Sequence, residues 1–312
     1  MSHDPGMDAE TAVQVGTFAA FQNASRTLPG CPSSTGFRAA ALRHDAASVW
    51  RGPRVAEEFL VNSCLRRGDP ETESSIRAYF SEPAKLMLSL NGREPAGPAR
   101  ETALPAAAPL QMALGTAITR RRTVRDYTGD ELPLGYLAAL LRAAGEITGA
   151  AEVEVAGLGS RSIRFRAAPS AGGLYPVELW VVALRVSGLP REVFRYSPDG
   201  DRLVAEGDGS AVDAVLAAVA APEELLSVGR AAALLLLVGR PWRTMRKYGD
   251  RGLRFLFLEA GAMAEHVNLA ATALGVGSAD CASVYDDEVH RALGLDGLHE
   301  TLLHAMAIGA RP

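Results

Sequence analysis

Eight apolar residues, Ala231 to Val238, run into a basic, aromatic turn and then into a long helix-patterned segment, and this succession constrains the chain most. The run is far short of the roughly 20 residues a membrane helix needs, so it reads as a buried strand. Beyond PWRTMRKYGDRG, the residues Leu253, Phe257, Ala260, Ala264, Val267 and Ala271 recur every three or four positions, and Gly275 stops the helix. Lys247 and Tyr248 are therefore expected at or just before the helix N-terminus, where a site can be built.

The segments around this unit alternate between both kinds of element. Leu134, Leu137, Leu140 and Leu141 form the apolar face of a helix that Asp130 is expected to cap and Pro133 to begin. A Gly-rich bend then leads through AAPSAGGLYP to a strand over Val177 to Val186. Phe194 to Tyr196, the SPDGD turn and Arg202 to Val204 read as a hairpin. Ser210 to Ala221 reads as a helix, and the tail gives a helix over Asp286 to Leu293 and a strand over Glu300 to Ile308. Helices and strands that do not alternate strictly as βαβ imply an α+β layered domain.

The first third is helical in pattern, over Ala12 to Ala24, Phe37 to Val49, Val55 to Leu65 and Ser75 to Leu90. The stretch Asn91 to Pro109 is rich in Pro and Ala without a period, as a linker or draped loop would be. A helical N-terminal region over 1–105 and a second domain over 106–312 are expected. A net charge of -4 offers no basic footprint for nucleic acid or anionic membrane. Cys31, Cys64 and Cys281 lack paired spacing, and no signal-peptide pattern opens the chain. Both points predict a soluble protein in the reduced cytoplasm. No metal-ligand spacing is present.

Three stretches could carry chemistry. Arg120, Arg121, Arg122, Thr123 and Arg125 gather guanidinium groups and a hydroxyl that suit phosphate, although a solvated charge run accounts for the same residues. PSAGGLYP, Pro169 to Pro176, allows the backbone to approach something flat, or forms a plain turn. Lys247 beside Tyr248 offers a base and a phenol if shielded from water, or a surface lysine next to a packed ring. Gly275, Gly277 and Ser278 stop a helix or leave room for a ligand. His266 reads as a core or rim histidine. No GxGxxG follows a strand, so a dinucleotide-binding site is not indicated.

In order, RRTVR (Arg121 to Arg125), PSAGGLYPVELWVV, FRYSPDGDRL, KYGDRGLRFLFLEAG and LGVGS resemble motifs of the nitroreductase-like flavoproteins. Within them the chain is most similar to the SagB-type dehydrogenases, the azoline oxidases of thiazole- and oxazole-containing peptide natural products. The resemblance covers roughly residues 111 to 312. It implies a layered α/β/α fold with a central, mainly antiparallel sheet, and FMN bound between the subunits of an intertwined homodimer. On the matching positions, Arg121, Arg122, Thr123 and Arg125 would hold the phosphate and ribityl chain, with Arg311 joining from the C-terminal end. Pro169, Ser170, Ala171 and Gly172 would lie against the flavin ring from the partner subunit. Gly275, Gly277 and Ser278 would approach the ring near its reactive edge. Lys247 and Tyr248 match the pair these oxidases use to take the Cα proton of a thiazoline or oxazoline.

Two departures stand out. Where family members often carry Gly-His and Gln-Asn pairs on the long helix, this chain has Gly261-Ala262 and Glu265-His266. The substrate implied is an azoline on a peptide or carrier protein, with a cyclodehydratase as a further partner. An NAD(P)H-dependent nitro- or quinone reductase and a non-catalytic scaffold relative are the alternatives.

Overall fold

Both faces of the strand Ala233–Gly239 are buried, which is why its sequence is apolar throughout rather than alternating. Leu235 and Leu237 face one side, whereas Leu234, Leu236 and Val238 face the other. Its neighbour Val177–Ala183 divides in the same way, with Leu179 and Val181 on one face and Trp180 and Val182 on the other. Each such side chain contributes about 1.5–3 kcal/mol by leaving water, and together they fix the middle of the molecule.

A computed structural model of the chain describes residues 55–65, 67, 70–82, 84–85, 88, 100–155 and 159–312. By contact the chain falls into two units, Met1–Asp69 and Pro70–Pro312. Among the described residues the first contains helix α1, Val55–Asn62. The helices expected over Ala12 to Ala24 and Phe37 to Val49 lie outside the described residues.

The second unit is built on a seven-stranded sheet. In chain order its elements are α2 (Pro70–Ser81), β1 (Glu101–Ala103), α3 (Leu114–Arg120), β2 (Leu132–Pro133), α4 (Leu134–Gly145), β3 (Ile147–Val155), β4 (Gly159–Arg166), β5 (Val177–Ala183), β6 (Val186–Ser187), β7 (Val193–Ser197), β8 (Arg202–Gly207), α5 (Gly209–Ala217), β9 (Ala233–Gly239), α6 (Pro241–Tyr248), α7 (Arg251–Leu274), β10 (Gly277–Cys281), α8 (Asp286–Leu293) and β11 (Thr301–Gly309). The sheet order is β1-β8-β7-β5-β9-β11-β10, and every pairing in it is antiparallel. Leu137, Leu140 and Leu141 of α4 and Leu256, Met263 and Val267 of α7 close one face. Val212 and Val215 of α5 and Val289 and Leu293 of α8 close the other. The layered α/β/α architecture with a central antiparallel sheet is the one expected. Among the described residues no helix is long and apolar enough to cross a membrane.

Several local expectations change. The Gly-rich bend before PSAGG is an antiparallel hairpin, β3–β4, paired from Ile147↔Arg166 to Val155↔Gly159. Apolar and polar residues alternate over Glu152 to Val155 and Ile163 to Arg166, but glycines at 145, 149, 157 and 159 break up these short runs and suggest a bend. Asp130 does not cap α4: its carboxylate accepts from the Thr128 hydroxyl at 2.8 Å, and Pro133 stands at the N-cap. The strand beginning at Val177 ends at Ala183. The Pro/Ala-rich segment contributes β1, which pairs with β8. Helix α2 begins at Pro70, a residue suited to a first turn that has no N–H to satisfy. On α7, Phe257 lies outside the buried seam and is 53 % exposed.

Candidate active site

Lys247 and Tyr248 are not in a turn but end a separate helix, α6, which Pro241 opens and Gly249 breaks before α7 starts. Past the buried Pro241 that opens it, its buried residues are Arg243, Thr244 and Lys247, at helical spacing but polar, so hydrophobic periodicity does not reveal it. Helix α2 packs against α6. It puts the Ser75 hydroxyl 3.4 Å from the Arg246 carbonyl, and the Tyr79 ring, 1 % exposed, 5.1 Å from Lys247 Nζ. Tyr79, Leu174 and Tyr248 pack together, and Phe255 meets Tyr248 edge-on at 5.0 Å. Burial among these rings lowers the Lys247 pKa and raises that of Tyr248, because in each case it disfavours the charged form.

The PSAGG segment meets this pair within the same chain. Ala171–Gly173 forms a 3₁₀ turn in which Gly172 has φ 63°. A Cβ there would stand 2.6 Å from Tyr248 Oη and 2.8 Å from Lys247 Nζ. Only glycine allows both the left-handed backbone and this approach. The turn is fixed from behind, since Ser170 Oγ accepts from the Tyr175 N–H at 2.9 Å and Tyr175 Oη accepts from the Arg166 N–H at 2.8 Å. Gly172 itself is exposed, as is Pro169.

Beneath the turn lies Glu259, 3 % exposed, accepting from the Val177 N–H at 3.3 Å. Burial pushes its pKa up to about 7, against hydrogen bonding from Ser170 and Val177 and the opposing charges of Arg166 and Arg243. Sequence reasoning missed Glu259, Arg166, Arg243 and Tyr79. Glu259 had a usable signal, because a carboxylate at the spacing of Leu256, Ala260 and Met263 falls on the apolar face of α7. Tyr79 had none, since only tertiary packing brings α2 to α6.

The RRTVR segment stands elsewhere. It follows α3, and the Val124 N–H donates to the Ser278 carbonyl at 2.9 Å, joining the segment to β10. A Cβ on Gly277 would meet Val124 Cγ1 at 2.8 Å and Tyr127 Cε1 at 3.2 Å, so this glycine makes room for the segment. Ser278 Oγ donates to Asn268 Oδ1 at 2.8 Å. Gly275 is the left-handed C-cap of α7, at φ 73°. The Thr128 N–H donates to the Ala310 carbonyl at 3.1 Å, bringing exposed Arg311 to the same end of the sheet. Arg122 turns back, its Nη1 donating to the Thr119 and Arg121 carbonyls at 2.9 and 2.7 Å, and so caps α3. Thr123 and Arg125 are exposed and Arg121 is half-buried.

Strand register measures the separation between the two groups. Val177, just past PSAGG, pairs with Gly239, just before α6, and Gly239 pairs with Thr301. At the other end Ala233 pairs with Ile308, which pairs with Ser278. Six residues along β9 span about 20 Å. One chain therefore unites Lys247, Tyr248 and PSAGG, and separately unites RRTVR, Gly277, Ser278 and the C-terminal segment, but does not bring the two sets together.

His266 has a structural role: its Nδ1 lies 2.8 Å from the Ala143 carbonyl and ties α7 to the end of α4. Glu265 is exposed.

Comparison with known proteins places this architecture. A Methanocaldococcus jannaschii protein named as a nitroreductase is 32% identical over 183 residues, which cover 59% of this chain and 85% of that protein. Two solved structures share the fold: a nitroreductase-type protein of Ralstonia eutropha (TM-score 0.54, 21% identity, 68% of this chain and 90% of that one), and a chain of the E. coli microcin synthetase McbBCD complex with truncated pro-MccB17 bound (TM-score 0.52, 16% identity, 83% and 92%). The Nitroreductase family description matches residues 118–310, more than half of the sequence, and with the archaeal relative this shows that the chain belongs to the nitroreductase family of oxidoreductases.

Proposed function

We propose that this chain is an FMN-dependent dehydrogenase that oxidises a thiazoline or oxazoline, carried on a peptide or carrier protein, to the aromatic azole. The observation that carries the reading is the contact of Gly172 with Lys247 Nζ and Tyr248 Oη: a shielded lysine and a phenol at the glycine turn expected against a flavin. Exposed Arg125 and Thr123, with Arg121 and Arg311 at the same end of the sheet, suit a phosphate group. The 20 Å or so between the two sets supports a site completed by a second copy of the chain. Leu114, Ile118, Phe257 and Leu258, 53–69 % exposed on the packed helices α3 and α7, give such a copy an apolar surface to cover.

Azoline oxidation removes a proton from Cα and a hydride from the adjacent ring carbon. A bound flavin supplies the hydride acceptor. Lys247, its charged form disfavoured by burial, takes the Cα proton, and Tyr248 Oη beside it orients the ring heteroatom or shares the proton. Helix α2 keeps bulk water from the lysine. The shared fold with a chain of the microcin synthetase complex, solved with truncated pro-MccB17 bound, agrees with a peptide substrate.

The 32% identity to a protein named as a nitroreductase favours a second reading, nicotinamide-driven reduction of nitro compounds or quinones. Anaerobic mixing with excess NADH separates the two. The azoline reading expects the oxidised flavin spectrum to persist with NADH and to bleach with a thiazoline peptide. Rapid bleaching by NADH alone, with no response to the thiazoline, selects the reductase. Lys247→Ala should abolish thiazoline oxidation and leave the flavin spectrum unchanged, and retained turnover would reject the lysine as base.

A further inference from the structure

The hairpin β3–β4 supplies nothing to the chemistry above, yet its two faces differ and one of them flanks the Gly172–Gly173 turn. Register sets Ala151 opposite Ile163 and Gly149 opposite Phe165, so these residues share one face, while Glu152, Ser162 and Arg164 share the other. The polar face has partners of its own: Ser160 Oγ donates to Glu152 at 3.0 Å, and Arg164 pairs with Asp199. The apolar face packs on the turn, with Phe165 Cε1 3.8 Å and Ile163 Cγ2 3.9 Å from where a Cβ of Gly173 would stand.

Phe165 is only partly covered there. Its Cδ2 lies 3.9 Å from the Cβ position of Gly149, so part of the ring fills the gap that this cross-strand glycine leaves. The ring is still 41 % exposed, beside a turn whose own Gly172 is exposed. Tyr248 Oη and Lys247 Nζ stand 2.6 and 2.8 Å from the Cβ position of Gly172. One residue of the turn therefore carries the proton-transfer pair and the next carries the aromatic ring. Because consecutive Cα atoms are about 3.8 Å apart, the ring and Lys247 Nζ are separated by no more than about 13 Å. An azoline at the lysine, one peptide unit and the side chain it bears can bridge that span.

We propose that Phe165, with Ile163 beside it, is an apolar wall that selects the substrate residue next to the azoline: it takes an aliphatic or aromatic side chain and disfavours a polar one of the same size. Covering the open part of the ring is favourable in proportion to the apolar area removed from water. A polar side chain laid on the same surface gives up hydrogen bonds to water and finds none in return. That the side chain belongs to an azoline peptide rests on the function proposed above.

The test uses the full-length, FMN-loaded protein and two dye-labelled thiazoline peptides, one with leucine and one with the similarly shaped asparagine on both sides of the ring, in a fluorescence anisotropy titration. The leucine peptide should bind about tenfold more tightly. Phe165→Ala should reduce it to the affinity of the asparagine peptide, and Phe165→Leu should keep most of the preference. Equal binding of the two peptides by the wild-type protein would overturn the wall even if Phe165→Ala does not fold. So would an undiminished preference in Phe165→Ala, or a change in its flavin absorbance or in its molar mass by light scattering, because the ring would then serve the cofactor or a subunit contact. Turnover separates this proposal from the reading beneath it. A preference that Phe165→Ala removes, without oxidation of either peptide, rejects the azoline function alone, whereas oxidation of both peptides at equal affinity rejects the wall alone.

Discussion

Replacing Gly172 with alanine tests the geometry on which the catalytic assignment depends. The new Cβ would lie 2.6 Å from Tyr248 Oη and 2.8 Å from Lys247 Nζ, where tight contacts begin at 3.0 Å and ordinary ones at 3.4 Å. Oη must therefore retreat by roughly 0.4–0.8 Å, and displacements approaching 1 Å at a reacting group cost up to about a hundredfold in rate. The backbone adds its own penalty, since φ of 63° in a non-glycine residue costs about 1–2 kcal/mol, or about 2–8 °C in Tm for a body of this size. Gly173 supplies the control. Its φ is 65°, but a Cβ there meets nothing closer than 3.8 Å. Gly173→Ala should show the same loss in Tm with near-normal kcat, whereas Gly172→Ala should lose about tenfold or more in kcat for thiazoline oxidation and keep its flavin absorbance. Equal kcat in the two variants would refute the claim that Lys247 and Tyr248 must sit where Gly172 lets them.

Tyr79→Ala removes the ring that covers Lys247 and should cost about 3–5 kcal/mol; by admitting water it should move the acid limb of the kcat–pH profile upward, toward the ordinary lysine value, whereas Tyr79→Phe should leave that limb in place. Glu259 is raised from 4.5 to about 7 on folding, so the native state holds the proton more tightly; its stabilising effect is complete below pH 4.5 and is lost as pH rises through about 7. Urea unfolding across that range should show Glu259→Gln flattening a decline on the order of 3 kcal/mol, and identical slopes in both proteins would exclude the carboxyl as its source. His266→Ala should lose about 1 kcal/mol with its bond to Ala143, seen as a lower Tm with unchanged thiazoline kinetics.

The sequence by itself determined the layers. Unbroken apolar runs such as Leu234–Val238 could only be strands covered on both faces, and a three-to-four residue period ending at Gly275 could only be a long helix, because burial and backbone geometry act locally on such patterns. It also singled out Lys247, Tyr248 and the PSAGG turn, but not Glu259, Arg166, Arg243 or Tyr79. The folding of PWRTMRKY as a helix was hidden because its buried residues past Pro241 are Arg243, Thr244 and Lys247, which only neighbouring elements can bury. The β3–β4 hairpin was hidden because glycines at 145, 149, 157 and 159 break up its short alternating runs and suggest a bend. Tertiary structure alone decided that α2, without chemistry of its own, shields Lys247, and that Gly172 touches both members of the pair. It alone set RRTVR about 20 Å away at the other end of the sheet, because strand register, a property of paired chains, fixes which motifs share an end.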